Sequence, residues 1–199
     1  MNRLLKSSLT ALALSATLAA CAAPPPQPED VYYRLSPRAD GKMNMPILDG
    51  VVEVDRFAAA GSPSSRPILY AEDGTPMVTE YHYHFWIEAP PTMLQSALVS
   101  YLRSAGVAKQ VVTPDMRVRP DYTIQGRLIR LDTVHGDNSS GIAEFELALR
   151  DETSGKLVVL GEYSTEIPAE SSAVKHSVAA IDAAVKKVFD DFVLDMHKP

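Results

Sequence analysis

The sequence predicts an α+β domain, with a single mostly antiparallel β-sheet and two α-helices packed on one face. Three observations point there. Several segments alternate apolar and polar residues with a period of two. Two other segments space their apolar residues by three and four, as one face of a helix requires. The order along the chain is strands, helix, a meander of strands, helix.

Val31 to Leu35 (VYYRL) is β-branched and aromatic and reads as a first strand, closed by Pro37. Gly50 to Phe57 (GVVEVDRF) alternates, with Val52 and Val54 on one face, and reads as a second. Ala58 to Arg66 is a loop of small residues. Pro67 to Tyr70 is a short strand, turned by Glu72-Asp73-Gly74. Val78 to Ile87 (VTEYHYHFWI) is a strand stopped by Pro90-Pro91.

The first helix starts at those prolines, where a missing N–H costs nothing. Leu94, Ala97, Leu98, Tyr101, Leu102 and Ala105 form its apolar stripe, and Gly106 supplies the stop. Three strands follow. In Asp121 to Val134, Tyr122, Ile124, Gly126 and Leu128 share a face, then the apolar phase shifts to Ile129 and Leu131. Such a shift predicts a bulge or bend near Leu128. His135 to Gly141 is a polar hairpin loop. Ala143, Phe145, Leu147 and Leu149 alternate with Glu144, Glu146 and Ala148, which places the two glutamates on the outer face. Leu157 to Ile167 runs back and ends at Pro168. The last helix is capped at Ser171 or Ser172 and carries Val174, Val178, Ile181, Val185, Val188 and Phe192 on one seam.

Of the 199 residues, 46% are hydrophobic and 22% charged, proportions of a globular chain rather than a disordered or multi-span one. A formal charge of −6 argues against non-specific nucleic-acid binding, which needs a basic face. One cysteine excludes a disulfide framework and a multi-thiolate zinc site.

That cysteine closes an export signal. Arg3 and Lys6 precede the uncharged run Leu9 to Leu18, which is too short to span a bilayer. The sequence Leu18-Ala19-Ala20-Cys21 is similar to the bacterial lipobox, in which cleavage falls before a lipid-bearing cysteine. Residues 1–20 are thus expected to be a lipoprotein signal peptide. Its removal takes two positive charges, so −6 becomes −8. Each buried acyl methylene contributes about 0.8 kcal/mol, so several chains on Cys21 anchor a protein durably. Ala22 stands where an Asp would signal inner-membrane retention in enteric bacteria, which favours the outer membrane. Residues 21–30 hold the proline-rich run Pro24-Pro25-Pro26-Gln27-Pro28, biased to an extended chain that serves as a tether. Residues 31–199 form the folded body.

Residues 81–86 (YHYHFW) place His82, His84 and Trp86 on one face of a strand, with Glu88 nearby. Two histidines at i, i+2 can chelate, but a third ligand and its supporting partners are missing from the pattern, so no metal is assigned. A strand with aromatics on both faces is covered on both sides or shows one to a partner. Tyr83 and Trp86 are therefore the partner-binding candidates, with the core as the alternative place for Trp86. Neither a Gly-x-Ser-x-Gly elbow, a His-Glu-x-x-His pair nor a glycine-rich phosphate loop occurs, and no enzyme activity is expected.

In this order the motifs resemble the ABC-type transport auxiliary lipoprotein family. The likeness rests on Cys21 in its lipobox, Tyr33-Arg34-Leu35, Arg66-Pro67-Ile68-Leu69-Tyr70, and Trp86 to Pro91 followed by Met93-Leu94. It continues through Leu98 to Leu102 with Gly106, Asp121-Tyr122 with Gly126, and the closing amphipathic helix. His82, His84 and the polar loop from Ala58 to Ser65 depart from the pattern. The resemblance implies a non-catalytic component of a system that moves lipids or hydrophobic compounds between envelope membranes. It implies a lipoprotein anchored in the outer membrane and facing the periplasm, with no cofactor beyond the diacylglyceryl and N-acyl lipid on Cys21. Its implied partner is a periplasmic mammalian-cell-entry (MCE) domain protein, and self-association into a ring would suit an oligomeric tunnel. The other reading is a structural or chaperone lipoprotein for outer-membrane protein assembly.

Overall fold

A computed structural model describes residues 28–59 and 61–197. The signal peptide, Cys21 and most of the tether lie outside these described residues. The elements are β1 (Val31–Tyr33), β2 (Leu48–Val54), β3 (Pro67–Glu72), β4 (Val78–Trp86), α1 (Pro90–Ala105), β5 (Ala108–Val112), β6 (Tyr122–His135), β7 (Ser140–Asp151), β8 (Leu157–Pro168) and α2 (Val174–Asp195).

All eight strands join one sheet, organised around β6. One edge of β6 runs antiparallel to β7, and β7 runs antiparallel to β8. The other edge of β6 is shared. β2 lies parallel to its first residues, from Tyr122 to Ile124, and β3 lies parallel to its last, from Asp132 to His135. Ala58 bridges to Arg127 between them. Outside β2 lies β5, in parallel. Outside β3 lies β4, antiparallel, and outside β4 lies β1, in parallel. The sheet is therefore mixed, not mostly antiparallel. Alternation in a sequence tells which face a residue takes, not which strand lies beside it. Parallel neighbours need a crossover connection, and α1 is the crossover that returns the chain to β5 beside β2.

The inward faces follow the alternation. Val54, Ile124 and Leu149 stand in register across β2, β6 and β7, and the next rows are Gly126 with Leu147 and Leu128 with Phe145. All but Gly126 belong to a single apolar core that includes the stripes of both helices. The expected phase shift is a register shift between Leu128 and Arg130. Ile129 is the extra residue, after which Leu131 and Thr133 turn inward beside Ala143 and Gly141.

Two glycines let elements approach. A Cβ on Gly126 would lie 2.6 Å from the Phe57 ring, which caps β6 there and meets Phe145 edge-on. A Cβ on Gly141 would lie 2.3 Å from the backbone nitrogen of Ile181, so α2 rests directly on β7. Gly106 ends α1 in the left-handed conformation, φ 70°, and its N–H reaches the carbonyls of Leu102 and Arg103. Between the helices, the Tyr101 hydroxyl donates to Asp190, and Lys186 Nζ bridges Asp190 (2.8 Å) and Asp40 (2.9 Å). Burial, and then that carboxylate, push the Tyr101 phenol well above its usual range.

Two local expectations change. β5 is a strand that alternation does not reveal, because five residues with Lys109 and Gln110 in the middle carry too short a pattern. α2 starts after Ala173, not at a serine cap. Ser171 instead accepts a bond from the Ala173 N–H and meets His176 Nδ1 at 2.7 Å.

Candidate functional site

Both helices pack on one face of the sheet. On the opposite face the row Leu69, Asp132 and Ile142 is buried, and the part toward β8 is open. Along this opposite face, Arg127 pairs with Glu146 at 3.1 Å and Arg130 with Asp132 at 2.8 Å. Glu144 and Glu146 stand on this face, where the alternation puts them. The Glu146 carboxyl is held below its usual range by its hydrogen bond to Arg127.

Toward β8 the open face becomes apolar. Leu160 stands opposite Ala148 and is 61% exposed, and Leu157 and Val158 are also exposed. Leu157, Leu160 and Ala148 wall a groove of about 520 Å³ whose other side holds Asp55, Gln125 and Arg127. The outer edge of β8 is unpaired along its twelve residues, among the described residues. Its inward side chains are firmly held. Tyr163 folds over Gly161, meets Phe192 edge-on and donates to Asp195 at 2.8 Å. The strand thus presents a rigid row of free backbone donors and acceptors, the usual template for an added strand. The run Leu157-Val158-Val159-Leu160 carried this signal in the sequence: four consecutive apolar residues on a strand cannot all face the core.

A second groove, of about 700 Å³, lies between the β6–β7 turn and the segment before α2. Its walls mix the polar side chains of Asp137, Asn138, Glu166 and Glu170 with Pro168 and Ala169.

The aromatic strand departs from simple alternation. Phe85 pairs with Pro67, but Glu80 pairs with Leu69. Between these pairs β3 supplies one residue, Ile68, and β4 supplies four, Tyr81 to His84, which bulge out of the ladder. The histidines are therefore not equivalent. His84 is half-buried, with Nδ1 3.0 Å from the Tyr33 hydroxyl and its ring against Tyr81, while His82 is exposed. Tyr70 stacks on Tyr81 with centroids 4.5 Å apart. The buried hydroxyls of Tyr81 and Thr133 lack a partner at hydrogen-bond geometry. Burial raises the Tyr81 phenol, and the nearby Thr133 hydroxyl pulls the other way. Among the described residues no group of three metal-ligating side chains comes together.

The two partner-binding candidates part company. Trp86 is 1% exposed and sits in the core, the alternative place given to it above. Tyr83, 42% exposed, is on the surface at the bulge.

Comparison with known proteins gives a consistent picture. A family model described as ABC-type transport auxiliary lipoprotein component matches residues 33–193. The fold is similar to that of protein XCC0632 from Xanthomonas campestris, with a TM-score of 0.70 at 19% identity, covering 82% of this chain and 92% of that one. It is also similar to an uncharacterized protein, with a TM-score of 0.67 at 14% identity, covering 85% of this chain and 99% of that one. Among curated proteins none matches the chain.

Proposed function

We propose a role that starts from one premise: the chain belongs to the ABC-type transport auxiliary lipoprotein family. It is a non-catalytic adaptor. The lipid on Cys21 holds it in the outer membrane, the proline-rich segment after Cys21 connects lipid to body, and the body faces the periplasm. There it docks the MCE-domain protein of an ABC transport system that moves lipids or other hydrophobic compounds between the envelope membranes. ATP hydrolysis belongs to other subunits.

The observation that carries this reading is the unpaired edge of β8 beside the groove walled by Leu157 and Leu160. A long edge with three exposed aliphatic side chains is an aggregation hazard unless something covers it. A partner strand laid on β8 would satisfy its backbone and bury Leu160. The test is photocrosslinking in native envelopes from a benzophenone amino acid at residue 160, followed by mass spectrometry. An MCE-domain protein should be captured, and capture should fall with Cys21→Ala. Capture of an outer-membrane barrel alone would replace this reading with the assembly-factor one.

A further inference from the structure

The edge of the sheet opposite β8 has its own exposed apolar rim. β1 covers β4 only from His84 to Trp86. The edge of β4 from Val78 to Tyr83 is therefore unpaired, among the described residues. Met77 (68% exposed), Val78 (54%) and Tyr83 (42%) line this rim, and Val31 (40%) and Tyr32 (52%) continue it. Tyr32 lies against Phe85 at 5.8 Å, with the Arg66 guanidinium 5.4 Å over its ring.

Four considerations select an occupant. Val31 pairs with His84 in parallel, so the chain leading back toward Cys21 departs beside Tyr83. Nine residues, ten Cα-to-Cα steps, lie between Cys21 and Val31, so even a fully extended chain keeps this rim within about 35 Å of the lipid. Among the described residues nothing before Val31 extends β1 along β4, and Pro28 has no N–H to donate to such an extension. The residue types are those of a membrane interface: tyrosines with an apolar ring and a wet hydroxyl, and aliphatic side chains between them. Asp30, which accepts from the Tyr32 hydroxyl at 3.4 Å, and the exposed Glu80 of β4 limit the contact to headgroup depth.

We propose that the rim from Met77 through Tyr83 to Tyr32 rests on the bilayer surface that receives the Cys21 lipid, so the body lies down on the membrane rather than standing off it. This rests on the lipid anchorage proposed above. It adds a second, reversible attachment to the acyl chains, and the area buried sets its strength.

The lone native cysteine, once acylated, is blocked to thiol reagents, so an introduced cysteine can be labelled uniquely. The full-length lipidated protein carrying Tyr83→Cys, or Leu160→Cys at the far edge, is labelled with a polarity-sensitive fluorophore. Each is reconstituted in vesicles of phosphatidylethanolamine and phosphatidylglycerol containing a phospholipid with a shallow nitroxide. Flotation reports the anchor, and quenching reports the docking. The label at 83 should be quenched about threefold more than the label at 160, and Tyr32→Ser with Met77→Asp should remove the difference. Flotation with equal, weak quenching at both positions would overturn the docking while leaving the anchor standing. Failure to float would remove the anchor and this inference together.

Discussion

Residue by residue, the strictest positions are those where two backbones nearly touch. Gly141 is one: any side chain there meets the α2 backbone at Ile181, which cannot rotate away. Gly141→Ala should lower the urea midpoint by an amount equivalent to about 1–3 kcal/mol, the usual cost of overpacking. Asp182 makes a different prediction. Its carboxylate accepts the Ser36 N–H at 2.7 Å, and burial raises its pKa against the smaller pull of that bond. A raised carboxyl pKa means the folded state binds the proton more tightly than the unfolded state. The stability gained is present below the unfolded pKa and is lost as pH rises through the folded one. Asp182→Asn keeps an acceptor for Ser36 without the charge. Its melting midpoint should exceed the parent's at neutral pH, and the gap should close as pH falls through the carboxylate range. Neither position was legible from the sequence, because Ile181 and Ser36 come from distant parts of the chain. Gly126 stood out only as part of a motif; its reason, the Phe57 ring above it, is a contact 69 residues away.

The elements were more legible than the residues. Both helices emerged from spacing alone, and Gly106 ended α1 where its backbone permits. The bulge in β6 was readable because burial forces the apolar phase, and a slip by one residue turns a strand inside out. This gives a test. Removing Ile129 leaves Leu128 inward, Arg130 outward and Leu131 inward, so that variant should keep a cooperative unfolding transition. Removing Gln125 reverses one half of β6 and should abolish it. Circular dichroism during thermal melting distinguishes the two. β4 is a strand where the sequence predicts one, but its alternation breaks for a related reason. Aromatic and histidine side chains tolerate both faces, so nothing in residues 81–84 announced that they leave the ladder.

For the whole molecule, composition and element order gave the class, and pairing was beyond reach. Four of the seven strand pairings are parallel, and each joins segments whose partner is chosen by core packing rather than by a turn. The open face follows from the same topology, since both helices are committed to one side. If β8 is a docking edge rather than part of the core, Leu160→Lys should change unfolding free energy by no more than about 0.5 kcal/mol. Crosslinking of the periplasmic partner from a photoreactive residue at the neighbouring exposed position 158 should nevertheless drop. Equal loss of both would place Leu160 in the fold's own stability.

The shortest strand has a mechanical consequence. From β1 through β4, β3, β6 and β7 to β8 the sheet takes five interstrand steps of about 4.8 Å, roughly 24 Å in all. A tension between a lipid at Cys21 and a partner on β8 would run across these ladders and load them in series. β1 contributes three paired residues, whereas β6 and β7 share twelve. The first link to part would be β1, peeling from Val31 until the force reached Leu35, buried in the core, and Ser36, bonded to Asp182. Four residues released would add about 14 Å of slack. The body would keep its shape while its leash grew longer, as a fuse yields to spare the circuit behind it.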